Sequence, residues 1–194
     1  MKTYPSFKWL VTFFLIAALG FLADWTSKNY FSGTLSDEER QNAIIVRTDI
    51  IPPVFSLLKN SPLNKGALFS LGNQWGLTAN AVFITISSLA ILGIVGWALW
   101  PHNHRNSLYT IVLALILSGA LGNCMDRLFY GGVRDWIWVY YQRGENDYPF
   151  NWPVFNLADC FLVGGAIMLL LHGLLWPAPV KSVGTPETKT AQPA

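Results

Sequence analysis

The sequence predicts an all-α integral membrane fold: four transmembrane helices with a small β-sheet on the outer surface. Three observations lead there. Charge is sparse, four apolar runs approach spanning length, and one alternating β-branched stretch lies between the first two runs. Hydrophobic residues make up 52% of the 194-residue chain and charged residues 12%, against about 25% charged in a soluble domain. Charge this thin cannot cover a water-facing globule. Nine tryptophans fit a protein with many residues at the bilayer interface. The net charge of +2, with basic residues scattered, gives no nucleic-acid footprint.

A hydrocarbon core about 30 Å thick needs about 20 apolar helical residues. The spans are expected at about 9–23, 77–100, 107–125 and 155–176. The first is bounded by Lys8 and Asp24. It lacks a small-residue cleavage site, so it reads as a retained helix. The second and third carry no charge, and the fourth carries only Asp159. Pro101–Asn106 forms a tight polar loop, and its His102 and His104 read as solvated, without a metal role. Residues 1–176 are expected to form a single domain, followed by a flexible cytoplasmic tail over 177–194.

Lys2, Lys8, Arg105, Lys181 and Lys189 fall on one side of this arrangement. The opposite side holds more basic residues, but in longer loops that also hold most of the acids. Short loops and juxtamembrane positions carry the orientation signal, so both termini are expected in the cytoplasm. Loops 24–76 and 126–155 then face outward. In the first of them, Ala43–Arg47 and Ile50–Phe55 read as short strands with edge-type prolines. Asp37–Arg40 reads as a solvated helix start. Cys124 and Cys160, at the ends of apolar runs, read as buried packing thiols.

Ionisable groups near a membrane are costly, and here they cluster at one depth. Asp24 and Lys28 are four apart and pair if the first helix continues. Asn123 and Asp126 share one helix face, and Asn156 and Asp159 repeat that spacing. Asp135 lies between them. Taken singly, such residues often cap or anchor helices, and Asp24 alone reads as an interfacial anchor. Two carboxylates brought close share a proton. The ionised member can activate water while the protonated member polarises a carbonyl, which is the acid–base machinery of peptide hydrolysis. Arg127 reads as the partner of Asp126, leaving Asp135 and Asp159 as the reactive pair.

Four blocks carry a family resemblance: Asp24-Trp25-Thr26-Ser27-Lys28, Asn64-Lys65-Gly66-Ala67-Leu68-Phe69-Ser70, Gly122–Arg127 with Gly131–Asp135, and Phe155-Asn156-Leu157-Ala158-Asp159. In this order the chain resembles the bacterial lipoprotein signal peptidases (signal peptidase II). The resemblance implies catalytic Asp135 and Asp159. It implies that Asp24, Lys28, Asn64, Gly66, Asn123, Asp126, Arg127, Asn156 and Ala158 support the site or bind substrate and inhibitor. It further implies cleavage of prolipoproteins before a diacylglyceryl-modified cysteine, no metal or cofactor, and inhibition by globomycin. The outer, periplasmic sheet would cradle the substrate, and the protein would be a monomer in the bacterial cytoplasmic membrane. Against the family pattern, Arg134 replaces a small apolar residue and is expected to point toward lipid headgroups. Trp136 replaces Phe, and the outer loops are long. The alternatives from other classes are a small proton-coupled transporter, which calls for charges near mid-span, and a non-enzymatic assembly subunit.

Overall fold

The structure, a computed structural model, describes residues 5–33, 35, 37–66, 77–100 and 107–175. Four long helices form the bundle: α1 (Phe7–Ser32), α3 (Leu77–Leu99), α4 (Ser107–Tyr130) and α5 (Leu157–Leu175). All four are long and apolar enough to cross a membrane. A short helix, α2 (Asp37–Asn42), stands where a helix start was expected. The loop at 101–106, with His102 and His104, and the tail at 177–194 lie outside the described residues.

α1 runs nine residues beyond the expected end of its span. At about 1.5 Å per residue its 26 residues reach about 39 Å. The extension carries Asp24 and Lys28, whose mutual ion pair lets the apolar helix continue through them. Ser6 caps the start, its hydroxyl accepting from the Trp9 N–H. α4 is the most buried helix and packs against α1, α3 and α5. Phe13, Ala17, Ala98, Ala114 and Leu117 form the core of the bundle. Outward-facing side chains such as Leu89, Leu92, Leu170 and Leu174 stay exposed, as a lipid-facing surface requires. Two glycines set close approaches. A β-carbon at Gly119 would meet the Ala158 carbonyl on α5, and one at Gly122 would overlap the Asp24 carboxylate.

The sheet differs from expectation. Its first strands are β1 (Val46–Ile51) and β2 (Phe55–Lys59), and Pro52 and Pro53 lie in the turn between them. Proline lacks a donor and fixes φ, so the pair suits a reversal better than a strand edge. The second outer loop also joins the sheet: β5 (Ile137–Tyr141) pairs with β2, and β6 (Phe150–Asn151) extends it, in the order β1-β2-β5-β6. Arg47 on β1 reaches across β2 to β5. Its guanidinium stacks on Trp138 and Tyr140 and lies 2.5 Å from Asp49. The hydrogen bond from Ser56, then that from Arg47, holds the Asp49 carboxyl below its ordinary range. A second two-stranded ladder, β3 (Leu63–Asn64) with β4 (Val133–Arg134), carries two blocks of the site to the top of α4.

Candidate active site

The polar residues of α1, α4, α5 and the β3–β4 ladder converge at one end of the bundle. Asp135 follows β4 directly and is 4% exposed. Its Oδ2 accepts from Asn64 Nδ2 at 2.9 Å and its Oδ1 from Asn156 Nδ2 at 2.7 Å. Its backbone carbonyl accepts from the Ser61 hydroxyl. Asp159, in the first turn of α5, accepts from Asn123 Nδ2 at 2.8 Å and from the Asn156 backbone N–H at 3.1 Å. Asn156 therefore holds both carboxylates, one through its side chain and one through its main chain. Burial, and then the charge of Asp159, raise the Asp135 carboxyl to about 7.

Behind the pair lies a buried ionic network. Lys28 is fully buried and reaches Asp24 at 2.8 Å, Asn123 Oδ1 at 2.9 Å and Asp126 at 3.5 Å. Asp24 is also fully buried, so it is no interfacial anchor. Its Oδ1 accepts the Ala158 N–H at 2.8 Å, where a carboxylate complements a helix N-terminus. Asn123 relays the network outward: it accepts from Lys28 and Asn156 and donates to Asp159.

One expected pairing and one expected orientation are corrected. Asp126 does not pair with Arg127; its partner is Arg134, with Nη2 at 2.7 Å and Nε at 3.1 Å. Neighbours on a helix point about 100° apart. Arg127 instead donates to the Gly66 carbonyl at 2.8 Å and to the Asn123 carbonyl at 3.3 Å. Arg134 does not face lipid; it is fully buried, because the face of β4 opposite Asp135 packs on α1 and α4. The sequence reading also missed Asn29, which accepts from Arg134, and Ser61. Asn29 directly follows Lys28, but no pattern marks Ser61. Cys124 is buried as expected, whereas Cys160 is exposed, since its place on α5 turns it toward a groove.

That groove has a volume of about 610 Å³ and runs between α3, α4 and α5. Asn64, Asn123, Arg127 and Asp159 line its polar end. Phe83, Ile86, Ala90 and Ile167 line its apolar length, and Trp152–Phe155 form a wall. Gly66 lies beside this polar end: its N–H donates to Asn64 Oδ1 at 3.0 Å. Among the described residues no group of His, Cys, Asp and Glu has the arrangement of a metal site. His172 lies at the opposite end of the bundle, its ring edge-on to Tyr109.

Comparison with known proteins agrees with this architecture. The family model described as "Signal peptidase (SPase) II" matches residues 16–175. A lipoprotein signal peptidase of Chromobacterium violaceum is 33% identical over 178 residues, covering 91% of this chain and 99% of the relative. That of Chlorobaculum parvum is 30% identical over 167 residues, covering 84% and 96%. A bacterial membrane enzyme solved by the in meso method shares the fold, with a TM-score of 0.67 at 22% identity, covering 95% of this chain and 99% of that one. Membership of a peptidase family displaces the transporter and assembly-subunit alternatives. With the match running from the middle of α1 to the end of α5, the chain belongs to the signal peptidase II family of bacterial membrane peptidases.

Proposed function

We propose that the protein is an aspartic endopeptidase that removes signal peptides from prolipoproteins by cutting before a diacylglyceryl-modified cysteine. The observation that carries this reading is the double grip of Asn156 on Asp135 and Asp159 at the polar end of an apolar groove. Asp159 borders the groove and accepts two N–H donors. It acts as the base, taking a proton from water as the water oxygen attacks the scissile carbonyl carbon. Asp135, more deeply buried and raised to about 7, keeps its proton and donates it to the carbonyl oxygen. Collapse of the tetrahedral intermediate breaks the C–N bond: the proton held by Asp159 passes to the leaving amine, and one hydroxyl proton of the intermediate returns to Asp135. No covalent enzyme intermediate forms.

The supporting residues then have distinct tasks. Asn64, Asn123 and Asn156 orient the carboxylates without adding charge. Lys28, Asp24, Asp126 and the Ala158 N–H fix Asn123 and the start of α5. Arg127 and Gly66 frame the mouth. The apolar groove suits lipid and signal-peptide side chains, each buried CH₂ contributing about 0.8 kcal/mol. In this reading the site lies at the outer face of the bacterial cytoplasmic membrane, where water reaches the carboxylates, with both termini cytoplasmic.

The test is incubation of the purified protein with one diacylglyceryl-modified prolipoprotein, with and without globomycin. The expected result is a gel shift abolished by globomycin, and a product mass that begins at the modified cysteine. Cleavage elsewhere, or none, contradicts the reading.

A further inference from the structure

Arg134 is the largest fully buried side chain in the described structure, and the mechanism above gives it no task. Its surroundings are specific. Asp126 grips it twice: Oδ2 accepts the Arg134 backbone N–H at 2.9 Å, and Oδ1 accepts Nε at 3.1 Å and Nη2 at 2.7 Å. Nη1 reaches across to α1, donating to Asn29 Oδ1 at 2.6 Å and to the Gly33 carbonyl at 3.2 Å. Gly33 caps α1 with φ near 60°, a conformation a side chain would strain. The guanidinium stacks between Trp25 and Tyr130, with Cζ 4.9 Å and 4.4 Å from their ring centres. One planar fork therefore ties together the end of α1, the end of α4 and strand β4. A lysine has no such fork.

The next residue along the chain is Asp135. Because neighbouring strand residues point to opposite sides, locking Arg134 on one face fixes the direction in which Asp135 leaves the other. A second route leads to Asp159. Asp126, satisfied by Arg134, leaves Lys28 within reach of Asn123 Oδ1, and Asn123 donates to Asp159. The charges also balance: Asp24 and Asp126 face Lys28 and Arg134, all four fully buried.

We propose that Arg134 is a positioning residue for the reaction, fixing Asp135 through the main chain and Asp159 through Asp126, Lys28 and Asn123. This inference rests on the reading of Asp135 and Asp159 as the catalytic pair. The charged groups nearest that pair are Lys28 from α1 and Arg127 from α4, with Asp24 from α1, Asp126 from α4 and Arg134 from β4 standing behind them. Removing Arg134 leaves their sum one unit more negative. Both the placement and the proton affinity of the pair should then change, and the two effects separate by variant.

The experiment measures kcat, KM, the pH profile and the melting temperature on a diacylglyceryl-modified prolipoprotein in micelles, for wild type, Arg134→Met, Arg134→Lys, Asn29→Ala and Asp135→Asn. In Arg134→Met, kcat falls about 100-fold, the scale of a misplacement near 1 Å. KM stays within about twofold because the groove is untouched, and the alkaline limb moves to higher pH. Arg134→Lys restores the limb but not the rate, since it keeps the charge and loses the fork. Asn29→Ala, which keeps the grip on Asp126, lowers kcat about tenfold by removing one charge-assisted hydrogen bond, and decides the matter should Arg134→Met not fold. Wild-type kcat in a folded Arg134→Met or in Asn29→Ala overturns the proposal, as does a loss explained wholly by unfolded protein with the limb unmoved. Those results, with Asp135→Asn inert, leave the catalytic pair standing. A fully active Asp135→Asn removes the pair and this inference together.

Discussion

Lys28 places its ammonium 2.9 Å from the side-chain oxygen of Asn123, 95 residues along the chain. Both groups lie inside the bundle, and the other end of that Asn123 amide holds Asp159. A buried lysine is costly unless satisfied, and this one has Asp24, Asp126 and Asn123 around it. It is the hub through which the carboxylate in α5 is anchored to α1.

Lys28→Met should therefore be severe. It leaves the buried Asp24 carboxylate without its cation, a loss of about 3–5 kcal/mol. Thermal unfolding in detergent micelles should show a large drop in melting temperature, and cleavage should be lost with it. A variant as stable as wild type contradicts the network.

Gly122→Ala tests the closeness of α1 and α4. The new β-carbon overlaps the Asp24 carboxylate, which cannot swing away without leaving Lys28 and the Ala158 N–H. Overpacking of this kind costs about 1–3 kcal/mol. Melting should report that loss, and activity should fall further than stability because the start of α5 shifts.

Asn156→Ala removes the side-chain donor to Asp135 but keeps the main-chain N–H that serves Asp159. The expected result is a fall in kcat of roughly 100-fold with KM little changed. A rise in KM without loss of kcat would make Asn156 a substrate-binding residue instead.

The pH dependence has a defined sign. Burial and the charge of Asp159 raise Asp135 from 3.8 to about 7. The folded protein therefore holds a proton that the unfolded chain releases between those values. Stability from this group is full below pH 3.8 and is lost as pH rises through about 7. Activity should fall over the same upper limb as the acid loses its proton. Melting temperatures across pH 4–9 should decline more steeply in wild type than in Asp135→Asn.

Much of this was legible in the chain. Four uncharged or nearly uncharged runs mark the spans, because lipid tolerates little else. The i, i+3 and i, i+4 spacings of Asp24 with Lys28, Asn123 with Asp126 and Asn156 with Asp159 place each pair on one helix face. Long-range partners were not legible. Arg127 stands beside Asp126 in sequence, yet Arg134, eight residues on, takes it across a turn. Arg134 looked destined for headgroups because its burial depends on α1, 101 residues away at Gly33. The sheet merges the two outer loops, so Ser56 and Trp138, far apart in the chain, meet only once both loops fold over the bundle.

The most direct test is single-turnover cleavage of a diacylglyceryl-modified prolipoprotein by wild type, Asp135→Asn and Asp159→Asn, each shown to be folded by its melting profile. Both variants should lose at least roughly a thousandfold in rate, the scale of a removed acid or base. Cleavage by either variant at the wild-type rate would contradict the assignment of these two carboxylates to the chemistry.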